Sequence, residues 1–203
     1  MEMVKKECMS KKYEFTDETT EVDGHTLHRL RAVRCFSDVK AGDIGGWVEK
    51  EDNLSKMGDA WVYENAEVYG NAKVHGDAEI YCNAKVFGTA SVCGNAEVYG
   101  DAMVYDNARV FGNARVYGNA IVCGDAMVRC GADYIIFKNF WSSGRFFTWT
   151  RSNNMWEVGC FYGTGDELIK KAYKDSEKSG REYERVVRYV ESILEDEKKG
   201  GEK

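Results

Sequence analysis

The sequence lacks several features that mark common classes of protein. Its 203 residues include no proline and only three histidines, and no apolar run is long enough to cross a bilayer. The first eight residues lack the apolar segment of a signal peptide, so we expect a cytoplasmic protein. A net charge of −6 argues against general binding to nucleic acid or to an anionic membrane.

Cysteine is present, but in no pattern that predicts a disulfide framework or a metal centre. The seven cysteines form no CxxC pair, and no cluster of cysteine and histidine offers the ligands of a zinc site. We therefore expect free thiols, no bound metal and no cofactor.

One six-residue unit organises the centre of the chain. The pattern Gly-Asn/Asp-Ala-x-Val-x is repeated twelve times without a gap between Gly58 and Arg129. Every unit has its alanine, and every unit but one has its valine, the exception being Ile80. A short fixed period of this kind predicts a solenoid.

The chemistry of the unit predicts a triangular coil. Alanine and valine are two residues apart, so in an extended segment both side chains leave the same face and can point inward. The Gly-Asn and Gly-Asp pairs tolerate the left-handed backbone angles of a sharp corner. Three strands and three corners make a coil of eighteen residues, so twelve units give four coils and a rod of about 19 Å.

Stacking the coils predicts which side chains cover the outside of the rod. The outward residues of one face, called the Tyr69 face here, include Tyr69, Phe87, Met103, Tyr105, Ile121 and Cys123. Because exposed apolar stripes rarely remain unused, these six are predicted to form an oligomer interface. The alternative is that the rings only cover their neighbours along each ladder. The other two faces are named for Tyr63 and His75.

The repeat resembles the hexapeptide repeat of left-handed parallel β-helix proteins, a family that includes many bacterial acyltransferases. The runs Asp38–Gly42, Gly45–Val48, Leu54–Ser55 and Gly58–Trp61 are similar to the head of hexapeptide-repeat proteins from enterobacteria and from phages and prophages of Firmicutes. Some of those proteins are labelled transferases on fold alone. The resemblance implies a left-handed parallel β-helix, a homotrimer and, for a phage-encoded protein, the cytoplasm of the host cell.

Residues 1–57 are predicted to form a β-hairpin and a cap on the rod. Asp23-Gly24 is a hairpin turn signal between two short strands. Val48 and Leu54 fall on the alanine slot when the repeat is counted back from Ala60, so they extend the core as a partial coil over its open end.

After the β-helix of residues 58–129, residues 130–203 are predicted to form a small α+β domain. It starts with a β-meander and ends with a helical hairpin. The predicted strands are 133–137, 145–151 and 155–162. The capping box at Thr164–Glu167 opens the first helix, Ser179-Gly180 ends it, and the second helix covers 181–197.

One stretch outside the repeat predicts a ligand site. Strand alternation puts Arg145, Phe147, Trp149 and Arg151 on one face. Two guanidinium groups then bracket two aromatic rings, an arrangement suited to holding phosphate and stacking a base. The alternative is that the rings pack on the rod while the arginines reach solvent.

These patterns favour a non-catalytic binding protein. His75 is the only histidine of the repeat and occupies an outward slot, and no insertion interrupts the coils to shape a pocket, so no catalytic residue is assigned. Together with the resemblance, they predict a phage- or prophage-type protein that engages a host protein or sequesters a small anionic, nucleotide-like ligand, with anti-defence as its suggested role. The alternatives are a coenzyme-A-dependent acyltransferase and a structural rod.

Overall fold

The computed structural model describes residues 11–200 and begins with an antiparallel hairpin. The first three strands are β1 (Tyr13–Val22), β2 (His25–Ala32) and β3 (Ile44–Val48). Strands β1 and β2 are joined at Asp23 and Gly24, whose φ angles of 52° and 82° close the turn. The predicted hairpin is confirmed, although residues 1–10 of the predicted N-terminal segment lie outside the described part of the chain.

The repeat region, together with the stretch before it, forms a parallel β-solenoid of about five turns, and the predicted mainly-β solenoid is confirmed. Each unit contributes one two-residue strand, and strands of successive coils pair in parallel, as Glu97 does with Arg115. The Tyr63 face contains β4 (Trp61–Val62), β7 (Glu79–Ile80), β10 (Glu97–Val98) and β13 (Arg115–Val116). The Tyr69 face contains β5 (Glu67–Val68), β8 (Lys85–Val86), β11 (Met103–Val104) and β14 (Ile121–Val122). The His75 face contains β6 (Lys73–Val74), β9 (Ser91–Val92), β12 (Arg109–Val110) and β15 (Met127–Val128).

The two inward slots of the repeat make the solenoid core. From Ala60 to Val128, each residue in those slots is at most 1% exposed. At the corners, the glycine slot has a positive φ, and the residues that replace glycine, Glu64, Cys82 and Asp106, keep it at 51°, 60° and 56°. Such angles cost a non-glycine residue about 1–2 kcal/mol. The packing of the coils therefore imposes the corner even where glycine is absent.

The stretch before the repeat joins the solenoid two residues out of the predicted frame. Strand β3 pairs in parallel with β5, and Val48 and Leu54 lie beside Val68 and Val74, twenty residues away rather than eighteen. The prediction that Val48 and Leu54 take the alanine slot is wrong, because the corner at 55–59 holds two extra residues. Both side chains take the valine slot and are buried, so this stretch still extends the core.

Side chains of the N-terminal segment satisfy backbone carbonyls at the first coil. Lys12 is 1% exposed, and its Nζ donates to the carbonyl oxygen of Ala60 at 2.6 Å while lying 4.7 Å from the centre of the Phe36 ring. The Tyr13 hydroxyl donates to the carbonyl oxygen of Leu54 at 2.7 Å. Burial lowers the pKa of Lys12 to about 8. The amine of Lys12 thus supplies a hydrogen bond that a preceding coil would otherwise provide to this end of the ladder.

Residues beyond the repeat close the last coil. The backbone N–H of Ile121 donates to Oγ1 of Thr148 at 2.9 Å, and that of Met127 donates to Oγ of Ser152 at 2.6 Å. Tyr134 is 7% exposed, packs against the solenoid core and donates its hydroxyl to a carbonyl of β13 at 2.9 Å. Both ends of the ladder are therefore capped by side chains of the same chain.

The C-terminal part combines an antiparallel sheet with two helices. Its elements are β16 (Tyr134–Lys138), β17 (Phe146–Thr150), β18 (Met155–Val158), β19 (Phe161–Gly163), α1 (Gly165–Asp175) and α2 (Glu177–Gly200). The predicted third strand is split at Gly159, where φ is 63°. The predicted capping box is confirmed, since the N–H of Glu167 donates to Oγ1 of Thr164. Neither helix of the described chain is long and apolar enough to span a membrane.

The predicted helix boundary at Ser179-Gly180 is wrong. Helix α1 ends about one turn earlier, at Asp175, and Gly180 lies inside α2. The reason is close packing between the helices, because a Cβ on Gly180 would lie 2.2 Å from the ring of Tyr173. Glycine here allows two helices to approach rather than ending one of them.

Gly46 tests the tight junction between the capping stretch and the first coil. A Cβ on Gly46 would lie 2.6 Å from both the carbonyl oxygen of Ala66 and a methyl group of Val62. We expect Gly46→Ala to lower the free energy of unfolding by about 3 kcal/mol in urea denaturation. Gly131→Ala is the control, because a Cβ there meets no atom within 4 Å, and its effect should stay under about 0.5 kcal/mol. Equal stability of the two variants would contradict the observed register.

Candidate functional site

Of the four predicted ligand residues, Phe147 and Trp149 lie on the side of β17 that faces the helices, whereas Arg145 and Arg151 flank the two ends of the strand. Phe147 and Trp149 are each 1% exposed and belong to a buried cluster with Leu168 of α1 and Val187 of α2. The ring of Trp149 is further fixed by its Nε1, which donates to Oδ1 of Asn154 at 2.8 Å. The predicted open stacking surface is therefore not what the structure has, and the rings pack under the helices rather than on the rod.

The two arginines at the ends of this strand have separate environments. Arg151 forms a two-point ion pair with Glu197 of α2, with N–O distances of 2.6 and 3.2 Å, and its Nε donates to the carbonyl of Ala132 at 3.0 Å. This arginine thus ties α2 to the sheet. Arg145 instead lines a cavity, so the structure does not bring the four residues together as one site.

The cavity beside Arg145 has a volume of about 370 Å³, within the range of small-molecule sites. It lies between the loop at 139–145, the bend after β18, and helices α1 and α2. Its apolar lining residues are Val158, Phe161, Leu168 and Ala172. Its polar lining residues are Asn139, Ser142, Ser143, Arg145, Lys171, Asp175, Ser176, Ser179 and Tyr183.

Asn139 shapes the loop that forms one wall of the cavity. It is 1% exposed, and its Nδ2 donates to the hydroxyl of Tyr183 at 3.1 Å and to Oγ of Ser142 at 2.9 Å. Its Oδ1 accepts the N–H of Ser142 at 3.0 Å, and its own N–H donates to the carbonyl of Arg145 at 2.7 Å. A buried and fully bonded amide holds this wall in place before any ligand binds.

The rim of the cavity carries a local excess of positive charge. Within residues 11–200, no ion pair involves Arg145 or Lys171, whereas one carboxylate, Asp175, shares the rim. Helix α2 also begins at this rim, where Oγ of Ser176 accepts the N–H of Ser179 at 3.1 Å. Unpaired cations and the N-terminus of a helix both favour an anion.

The Tyr69 face is covered at both of its ends by the chain itself. The hydroxyl of Tyr69 donates to Oδ2 of Asp23 in the hairpin at 2.9 Å, and Tyr69 is 3% exposed. At the other end Cys123 is also 3% exposed, and the N–H of Ile121 is bonded to the C-terminal sheet. The rings of the face stack on one another, as the alternative interpretation predicted.

What remains for a partner on this face is its centre. Phe87, Met103 and Tyr105 are half-buried, and the rings of Phe87 and Tyr105 stack with centroids 4.8 Å apart. The oligomer interface therefore stays a prediction, restricted to this shorter patch.

A histidine–glutamate pair at the hairpin was missed by the sequence analysis. Nδ1 of His25 lies 3.0 Å from Oε1 of Glu49, whose Oε2 accepts the N–H of Gly70 at 2.6 Å. Burial acts to raise the pKa of Glu49, but the hydrogen bonds from His25 and Gly70 outweigh it and hold that pKa below its usual value. The pair joins the hairpin to the capping stretch. Because the two residues are 24 positions apart in the sequence, no local motif predicts the contact.

His75, the histidine considered from the sequence, is exposed. Its Nε2 lies 3.4 Å from Oγ of Ser91, a group that cannot serve as a carboxylate partner. Among the described residues, no group of three or more His, Cys, Asp and Glu side chains is placed to hold a metal ion.

Two comparisons place the repeat among known sequences. Residues 108–124 match the family described as "YdcK Beta solenoid repeat". A 38-residue stretch is 40% identical to "Uncharacterized acetyltransferase YdcK" of Escherichia coli (strain K12). This stretch is 19% of the present chain and 12% of that protein. The chain therefore matches only a small part of that relative. The similarity supports the β-solenoid repeat and goes no further than it.

Trp149 tests the assignment of the aromatic pair to the core. We expect Trp149→Ala to destabilise the C-terminal part by about 3–5 kcal/mol, because it leaves a large cavity beneath the helices. Near-ultraviolet circular dichroism during urea unfolding measures this. Phe140→Ala is the control, since Phe140 is 84% exposed and its loss should change stability by less than about 0.5 kcal/mol. A stable Trp149→Ala variant that has lost only ligand binding would instead support the open stacking site.

Proposed function

We propose that this chain is a non-catalytic binding protein that sequesters a small anionic, nucleotide-like ligand in the cavity of its C-terminal part. The observation that supports this most directly is the cavity of about 370 Å³, at whose rim Arg145 and Lys171 form no ion pair with any residue of the described part of the chain. The protein as a whole carries a net charge of −6, so the rim is a local exception to an acidic molecule. Such an exception favours a specific anion over general attraction.

The lining suits a ligand with one charged and one flat apolar part. Phe161 and the neighbouring aliphatic residues offer an apolar surface to a base, while the serine hydroxyls and the two cations can surround a phosphate. Because Asn139 already fixes one wall, little ordering free energy is lost on binding.

The phage or prophage origin, the engagement of a host protein, the anti-defence role and the homotrimer belong to the same proposal. They rest on the resemblance of the head segment at 38–61 and of the repeat to phage-type hexapeptide proteins. The half-buried centre of the Tyr69 face is the surface that such a trimer or host protein would cover.

Binding of AMP tests the proposed function. We expect Arg145→Ala and Lys171→Ala each to weaken AMP binding by about tenfold or more in isothermal titration calorimetry, because each removes a charge-assisted hydrogen bond. Lys170→Ala is the matched control, since Lys170 is exposed on the same helix and does not line the cavity. Adenosine, which lacks the phosphate, should bind weakly to all variants alike.

Native mass spectrometry of the freshly purified protein complements the titration. Extra mass of nucleotide size that disappears in Arg145→Ala supports the proposal. AMP affinities that are equal in wild type and in both rim variants would overturn it.

A second candidate is an acetyl-coenzyme-A-dependent acyltransferase. It is favoured by the similarity to a protein named an acetyltransferase and by His25, which Glu49 orients as a general base requires. If the chain is such an enzyme, purified protein should consume acetyl-coenzyme A in the presence of an acceptor amine or alcohol, and His25→Gln should lower the rate by about 100-fold or more. His75→Gln is the control and should leave the rate unchanged. No consumption with any acceptor class would exclude this candidate.

A further inference from the structure

A buried carboxyl group lies between the C-terminal sheet and the solenoid. Glu157 is in the middle of β18, and its side chain is directed at the rod rather than at the helices. It is 5% exposed, and the Sγ of Cys123 lies 3.9 Å from its Oε2. Its neighbours in the sheet register are Thr148 on β17 and Tyr162 on β19.

None of the groups that face Glu157 is positively charged in the described chain. From the solenoid these groups are Tyr105, Asp106, Cys123 and, near Tyr162, Asp125. From its own sheet they are Thr148 and Tyr162. An ionised carboxylate at this position would be desolvated, would lie close to another carboxylate and would have no cation to offset its charge.

The titration behaviour follows from this environment. Burial, and to a smaller extent the charge of Asp106, raise the pKa of Glu157 to about 7 from an ordinary value of 4.5. Burial also raises the pKa of the Cys123 thiol to about 12, so the thiol stays neutral across the same range. Glu157 is then the group at this contact that changes charge near neutral pH.

We propose that Glu157 is a pH-operated latch that docks the C-terminal sheet on the solenoid when it is protonated and loosens the contact when it is ionised. The contact is the one through which Thr148 caps the last coil, so loosening exposes the end of the ladder. The opposite side of β18 carries Val158, which lines the cavity between the sheet and the helices.

The direction of the pH effect is fixed by linkage. The docked state binds the proton of Glu157 more tightly than the undocked state, in which the carboxyl has its ordinary pKa. Docking is therefore strongest below about pH 4.5 and weakens as the pH rises through about 7. A shift from 4.5 to about 7 limits the effect to roughly 300-fold in the docking equilibrium.

Hydrogen–deuterium exchange of the full chain tests the latch. Wild type and Glu157→Gln are compared at about pH 4, below the ordinary pKa of the carboxyl, and at about pH 8.5, so that the intrinsic pH dependence of exchange cancels in their ratio. We expect the amides of β17 and β18 to exchange at equal rates in the two proteins at the lower pH. At the higher pH they should exchange at least about tenfold faster in wild type, while the solenoid amides of β8 and β9 show no difference.

Two further measurements keep the proposal falsifiable if Glu157→Gln folds poorly. A carbon-13 titration of the Glu157 carboxyl in wild type should show a midpoint near 7, and a midpoint near 4.5 would overturn the latch. Asp106→Asn, at a corner whose φ of 56° asparagine tolerates, should reduce the pH effect by removing the like charge. An exchange ratio that is the same at both pH values would also overturn the proposal.

Discussion

A parallel β-ladder of finite length leaves unpaired backbone groups at its first and last coils, and much of this chain is devoted to satisfying them. At the start, the buried amine of Lys12 and the hydroxyl of Tyr13 donate to carbonyl oxygens of the first turns. At the end, Thr148 and Ser152 accept amide protons of the last coil. The hairpin and the C-terminal sheet are thus parts of the solenoid's hydrogen bonding as well as appendages to it.

The C-terminal sheet has two faces with different tasks. One face carries Thr148 and Glu157 and closes the rod, while the other carries Phe147 and Trp149 and supports the helices. The cavity lies on the helical side and is bordered by Arg145 at the end of the same strand. Because alternate residues of a strand point to opposite faces, the contact with the rod and the proposed ligand site lie on the two sides of one sheet.

Periodic parts of this molecule were predictable, and parts that depend on long-range packing were not. The repeat specifies its own core because every alanine and valine reports the same inward direction. The position of the N-terminal cap was predicted correctly, but its alignment with the repeat was not. The two extra residues at a corner do not alter the repeat itself, so the sequence pattern does not reveal them. Alternation correctly grouped Phe147 with Trp149, but it cannot tell solvent from a covering helix. Lys171 lines the same cavity as Arg145, and Glu49 pairs with His25, but in each case the two residues are far apart in the sequence. No local sequence pattern connects them.

The stacking of the coils has a consequence for how such a chain can change in evolution. Each coil meets the next through the same pairs eighteen residues apart, and within residues 11–200 the hydrogen bonds of the two end caps go to the first and last coils. Duplication or deletion of one complete coil would preserve the inward direction of the alanine and valine slots in the remaining coils, as well as both caps. The spacing between the hairpin and the helical part can therefore be lengthened or shortened in steps of about 4.8 Å, which makes the rod a molecular ruler with two fixed ends.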